Sequence, residues 1–258
     1  MTKRKNAFTL AEVLITLAVI GIVAVLTLPT IKSNYEERVT ITKVLKAHAI
    51  LNNAYHMAIV QHGPLKFWGF SGASASGSYD EDGNYVIKPN TVDNAKIFMD
   101  SIAPYLNVVA RYERGDEGCK FPNGIKRLDN VGYDVAYTTM LDLADGSRVF
   151  GMWLHSPNCP SEGYYSCGDL MVDINSAKKG PNTLGKDIFY FVITSSGIIP
   201  AGQRNLTNTT RYFPDKCDIS STTGYNGYAC TAWVIENKNM DYLHCSDLSW
   251  DGKRKCSD

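Results

Sequence analysis

Several things are missing from this chain of 258 residues, and each omission narrows what it does. No cysteine occurs before Cys119, no acidic side chain before Glu12, and no charge of either sign between Val13 and Leu28. There is no excess of either charge overall, with 26 Lys and Arg against 26 Asp and Glu, so the chain as a whole has no strong pull toward nucleic acid or an anionic surface. Composition extremes that would signal disorder or a fibrous protein are also missing. So are the motifs that concentrate chemistry: Gly-x-Ser-x-Gly, a P-loop, a dinucleotide fingerprint and His-Glu-x-x-His. No catalytic activity is therefore expected. Zinc is disfavoured too, because no Cys-x-x-Cys pair occurs.

What is present begins at the N-terminus. Lys3, Arg4 and Lys5 precede Phe8-Thr9-Leu10-Ala11-Glu12, and the uncharged run Val13 to Leu28 follows. A bilayer core needs about 20 mostly apolar residues in a helix, so this stretch suits one crossing. Basic residues before it place the N-terminus in the cytoplasm and send the rest of the chain across. A secretory signal peptide shares the basic-then-apolar order, but its cleavage site wants small residues after the run, and here the run ends in Leu26-Thr27-Leu28-Pro29-Thr30-Ile31. Glu12 separates the remaining readings. A lone carboxylate in apolar sequence is costly, and a plain anchor has no use for it. Cutting before Phe8 gives it two uses. It would then sit at a helix start, where unpaired N–H groups favour negative charge, and it could neutralise the amino terminus of a neighbouring subunit.

At these residues, Lys-x-x-Ala-Phe-Thr-Leu-Ala-Glu-Val-Leu-Ile-Thr-Leu followed by Pro29, the chain resembles the type IV prepilin and type II secretion pseudopilin family. The resemblance covers about the first thirty residues. It implies scission of Ala7-Phe8 and N-methylation of Phe8 by an inner-membrane prepilin peptidase, and a docking role for Glu12. Most members have Gly where this chain has Ala7. The implied partners are that peptidase and methyltransferase, other pilin or pseudopilin subunits, an inner-membrane assembly platform and membrane lipid. No nucleic acid partner is expected. The implied location is the bacterial inner membrane, single-pass, with the head periplasmic or extracellular and the chain in a filament after assembly. Removing the leader would take away three of the 26 cations and leave the chain three negative.

Pro29 lacks an N–H and crowds the preceding turn, so it predicts a kink, or else the end of the membrane helix. Apolar residues return at Ile41, Val44, Leu45, Leu51, Tyr55, Ala58 and Ile59, largely at three- and four-residue spacing, as on a helix laid against a domain. Gly63-Pro64 stops it. The expected organisation is a leader over 1–7, a transmembrane and assembly helix over 8–29, an amphipathic helical half over 30–63 and a β-rich head over 64–258. This is an α+β chain whose long helix packs on an antiparallel sheet, the lollipop architecture of the resembled family.

Within the head, Tyr133 to Leu143 and Arg148 to Leu154 read as strands around a tight Asp145-Gly146 turn. Leu170 to Ile174, Asp187 to Thr194 and Ala229 to Glu236 read as further strands, and Val92 to Ile102 as a short helix. All seven cysteines lie from position 119 onward, which suggests an oxidising compartment. The local pairs are Cys159–Cys167, Cys217–Cys230 and Cys245–Cys256, leaving Cys119 over, although spacing alone does not fix connectivity. The last of these pairs resembles the disulfide-bounded C-terminal loop of type IV pilins.

Two loops raise the question of Ca²⁺. Between Asp173 and Asp187 oxygen-bearing residues cluster, with Asp173, Asn175 and Asp187 the candidate ligands, but the same residue types build any long turn. Asp80-Glu81-Asp82-Gly83-Asn84 begins like an EF-hand, yet Thr91 stands where the final Glu belongs, so a solvated loop is expected. No other cofactor is implied. Finally, Trp250-Asp251-Gly252-Lys253-Arg254-Lys255 joins an aromatic to three cations. It suits a solvated basic terminus better than a contact to DNA, a surface or a secreted substrate, the alternative role for such a head.

Overall fold

The computed structural model describes residues 9–70, 77–79, 85–87, 94–135, 139–154, 166–204 and 213–257. The chain forms two compact units, Met1–Val39 and Thr40–Asp258. Helix α1, Leu10–His62, contributes to both, and it continues through Pro29. Within the first unit its apolar side chains are exposed, among them Leu14, Ile15, Leu17, Ile20, Val25 and Leu28. This is the one helix among the described residues that is long and apolar enough to cross a membrane.

In the second unit the helix changes character, as the recurring apolar residues predict. Val44, Leu51, Tyr55 and Ala58 are buried, together with Ala54, while Ile41 and Ile59 are partly buried against the same core. The helix ends at His62, where Gly63 adopts φ +75° and its N–H returns to the Ile59 carbonyl at 2.9 Å, a left-handed glycine cap.

The strands are β1 Gly77–Tyr79, β2 Tyr85–Ile87, β3 Val108–Tyr112, β4 Ile125–Lys126, β5 Gly132–Tyr133, β6 Met140–Leu143, β7 Arg148–Leu154, β8 Gly168–Asp173, β9 Ile188–Ile193 and β10 Ile198–Pro200. Two further helices are α2, Asn94–Ile102, and α3, Cys230–Asn237. The main sheet has six antiparallel strands in the order β10-β9-β8-β7-β6-β3, so β6 to β10 form a meander with β3 added beside β6. β1 with β2, and β4 with β5, make two small ribbons. The architecture is α+β, as expected.

Every residue of β9 is buried, which is why its sequence Ile-Phe-Tyr-Phe-Val-Ile lacks any polar alternation. Phe189, Phe191 and Ile193 join one cluster with Leu51, Tyr55, Phe98 and Trp233; Ile188, Tyr190 and Val192 join another with Phe121, Phe150 and Tyr228. Both faces of the sheet are therefore covered. The β6–β7 hairpin turns where Asp145-Gly146 predicts it, with Gly146 at φ +87°. Polar contacts supplement the packing. Tyr55 donates its hydroxyl to the Thr194 carbonyl at 2.7 Å, Asn52 Oδ1 accepts the Ile198 N–H at 3.0 Å, and His48 Nε2 lies 3.0 Å from the Ile198 carbonyl.

Two expectations are corrected. The segment Ala229 to Glu236 is not a strand but helix α3. Cys230, Thr231, Ala232, Trp233 and Val234 are all buried in succession, and an element enclosed on all sides leaves no helical period to read. Its hydrogen bonds go across to other elements: Thr231 Oγ1 accepts the Tyr190 N–H at 3.0 Å, and the Ala232 N–H reaches the Ala201 carbonyl at 2.9 Å. The expected strand Tyr133 to Leu143 is divided, its first residue lying in β5 and its last four in β6.

Candidate functional site

Thr9 and Glu12 open the long helix in a reciprocal arrangement. The Val13 N–H bonds the Thr9 carbonyl at 3.3 Å, which makes Thr9 the N-cap and Glu12 the third residue of the first turn. The Glu12 N–H donates to Thr9 Oγ1 at 3.2 Å, and Glu12 Oε2 accepts the Thr9 N–H at 2.8 Å and the Thr9 hydroxyl at 2.9 Å. This is a capping box. It satisfies two backbone donors that a helix start otherwise leaves without partners, and places the carboxylate where the helix dipole is positive. The Glu12 bonds all go to Oε2, so Oε1 stays outside the box. Thr9 went unnoticed as a functional residue, although its signal is in the sequence: Thr-x-x-Glu directly before an apolar run. Ala7 and Phe8, on either side of the expected cut, lie outside the described residues. Pro29 is an interior residue of α1 and has no N–H to give the Val25 carbonyl.

The cysteines follow the expected local pattern wherever they are described. Cys217 bonds Cys230 with sulfurs 2.05 Å apart, and Cys245 bonds Cys256 at 2.28 Å. The first bond is wholly buried and ties α3 to the preceding loop; the second is partly exposed. Cys167 is also disulfide-bonded, while its expected partner, Cys159, lies outside the described residues. Cys119 remains a buried thiol, and burial foremost pushes its pKa up to about 11.

The loop between β8 and β9 gathers all three expected oxygen ligands. Asp173 and Asp187 are buried, at 0% and 3% exposure, and Asn175 is partly buried. Asp173 Oδ1 accepts the Asn175 N–H at 2.8 Å. Asp187 Oδ1 accepts the Thr183 N–H at 2.6 Å, and its Oδ2 accepts the Asn182 N–H at 2.8 Å and the Asn175 amide at 3.2 Å. Asn182, which sequence reading passed over, is itself 1% exposed and sits at φ +52°. Burial foremost raises both carboxyl groups, Asp173 to about 7 with help from the neighbouring charge of Asp187. Among the described residues no group of three or more His, Cys, Asp and Glu could hold a metal. This loop pairs two carboxylates with two amides instead. The EF-hand-like run from Asp80 and Thr91 lies outside the described residues.

The basic C-terminal segment is occupied internally to a degree that its sequence does not show. Lys253 pairs with Asp247 at 3.1 Å and Arg254 with Glu236 at 3.3 Å. The Arg254 guanidinium also covers the faces of Trp233 and Trp250, with centroid distances of 5.9 and 5.2 Å, and bonds the Trp250 carbonyl. Trp250 is 5% exposed and donates its indole N–H to the Gly202 carbonyl at 3.1 Å, so it offers no open face for a base.

No curated protein and no solved structure matches the chain. Residues 2–28 do match a family model, the Prokaryotic N-terminal methylation motif, and that stretch contains the expected cut site, Thr9, Glu12 and the whole uncharged run to Leu28. The chain therefore carries the prepilin-type cleavage and methylation signature of type IV pilins and pseudopilins.

Proposed function

We propose that this protein is a structural subunit of a pilus or pseudopilus that works by assembly rather than catalysis. The chain inserts with its basic leader in the cytoplasm, a prepilin peptidase cuts Ala7-Phe8 and methylates Phe8, and the helix that follows carries the subunit from the membrane into a filament. The apolar helix and the motif fit membrane anchoring, and the disulfides fit a head on the oxidising side.

One observation carries the reading: a single carboxylate, Glu12, is fixed by Thr9 in the first turn of an exposed helix whose next sixteen residues bear no charge. A membrane anchor would gain only a helix cap from that carboxylate, whereas an assembly helix also gains a partner for a neighbouring amino terminus. With Oε2 held by Thr9, Oε1 is left to accept the terminal ammonium at Phe8 of an adjacent subunit. Pairing of that kind is what allows charge to persist in an apolar bundle. Mass spectrometry of the protein from its native membrane tests the proposal. The mature chain is expected to begin at methylated Phe8, and a chain retaining Met1 to Ala7 throughout would overturn it.

A further inference from the structure

We propose that the loop between β8 and β9 binds one Ca²⁺ through the side-chain oxygens of Asp173, Asn175, Asn182 and Asp187. The inference stands apart from the assembly reading, because it concerns only the second unit of the chain.

Hydrogen bonds, most of them from backbone N–H groups, tie these four residues into one loop. Asn182 and Asn175 both donate to Asp187 Oδ2, and Asn175 donates its N–H to Asp173 Oδ1. The Asn175 amide also reaches the Gly180 carbonyl at 3.1 Å, and the Asn182 amide reaches the Ala177 carbonyl at 3.1 Å. These bonds use the donors and leave acceptors over. Asp173 Oδ2, Asn175 Oδ1 and Asn182 Oδ1 are buried oxygens with no hydrogen-bond partner among the described residues. A buried acceptor without a partner costs about 1–3 kcal/mol, and more when charged, so three in one loop point to a bound donor or cation.

Charge favours the cation. Two carboxylates share the loop, and no described ion pair reaches either of them. Arg148 stands opposite Asp173 in the strand register, but its guanidinium bonds Asp142 at 2.5 and 3.0 Å and the Gly118 and Lys120 carbonyls. Lys43 comes close from α1 and donates instead to the Ile174 carbonyl at 2.9 Å. The Arg148 charge acts on Asp173 only at longer range, so a divalent ion matches two carboxylates that have no direct ion pair among the described residues.

The donor set selects among divalent ions. All four groups are hard oxygens with no imidazole or thiolate, which disfavours zinc and copper. Ca²⁺ accepts six to eight oxygens in flexible geometry, with carboxylates binding through one or both oxygens and waters completing the shell. Mg²⁺ demands a near-ideal octahedron and gives up its waters reluctantly, so a loop built for β-sheet closure suits it less. The ion would bridge the end of β8 to the start of β9, fastening two neighbouring strands of the meander.

The test uses the full chain in detergent, stripped with a chelator and then titrated with CaCl₂ or MgCl₂. With Ca²⁺ at 100 times its Kd, Tm is expected to rise by roughly 5–10 °C, with one ion bound per chain by calorimetry. Asp173→Asn retains the shape but removes one of two neighbouring charges. Without Ca²⁺ it should melt at or above the unsubstituted chain, and adding Ca²⁺ should move it by less than about 1 °C. Asn182→Gly, compatible with the positive φ, should fold and bind at least tenfold more weakly. No Ca²⁺-dependent shift in the unsubstituted chain overturns the proposal, and so does an Asp173→Asn variant that keeps the full shift. A shift with Mg²⁺ equal to that with Ca²⁺ overturns the assignment to calcium.

Discussion

Glu12 has two roles that a single substitution can separate. It is half of a capping box with Thr9, and in the proposed assembly it is the anion that meets a neighbouring amino terminus. Glu12→Ala removes both roles, whereas Glu12→Gln keeps the cap, since Gln fills the same position in capping boxes, and removes only the charge. The capping contribution is about 1 kcal/mol, near a fivefold change in how often the first turn is formed. Leaving an ammonium unpaired in an apolar bundle costs about 3–5 kcal/mol, more than a hundredfold. If docking is the dominant role, Glu12→Gln and Glu12→Ala therefore fail alike, while Thr9→Val, which loses the side-chain half of the cap and keeps the charge, assembles within a fewfold of the unsubstituted protein. The assay is the amount of subunit in a sheared filament fraction against the amount in membranes, with all variants expected to insert equally. Normal assembly of Glu12→Gln beside failure of Glu12→Ala and Thr9→Val would reduce Glu12 to a helix cap and remove the docking argument.

Four further outcomes follow from the head. Replacing Cys217 and Cys230 by Ala opens a buried loop of sequence separation 13, worth about 3 kcal/mol in the chain-entropy model, and should lower Tm by roughly 6–12 °C. Under graded reduction, the partly exposed Cys245–Cys256 bond should open before the buried one, as mapped by alkylation and mass spectrometry; the reverse order would contradict the burial argument. Cys119, held protonated to about pH 11, should resist iodoacetamide at pH 8 in the native chain and react once it unfolds, so rapid native labelling would refute its burial. His48 stacks on Phe191 at 6.0 Å, and burial holds its pKa below the ordinary 6.5 against the opposing Ile198 carbonyl. The unfolded chain thus binds this proton more readily, so the stabilising contribution is present above pH 6.5 and lost as pH falls through the depressed value. His48→Gln should show a shallower loss of stability between pH 6.5 and 5 by thermal melting, and an unchanged slope would reject the assignment.

The stretch up to Leu28 is legible because its physics is local. A run without charge, a basic flank and a carboxylate three residues after Thr9 act through neighbours within one or two helical turns, so spacing alone states the helix, its start and its suitability for a membrane. The hairpin at Asp145-Gly146 and the stop at Gly63-Pro64 are legible for the same reason, since each depends on backbone angles at one or two residues. What lies farther apart was decided by packing. The segment Ala229 to Glu236 is rich in strand-forming residues, yet enclosure on every side and the bond from Cys217 make it a helix. Trp250 and Arg254 read as part of a solvated basic terminus and instead close over Trp233. Composition marked Asp173, Asn175 and Asp187 as oxygen donors but could not distinguish a turn from a site. Only the folded loop, by burying Asn182 beside them and leaving three oxygens without donors, gives those residues a reason to hold a cation.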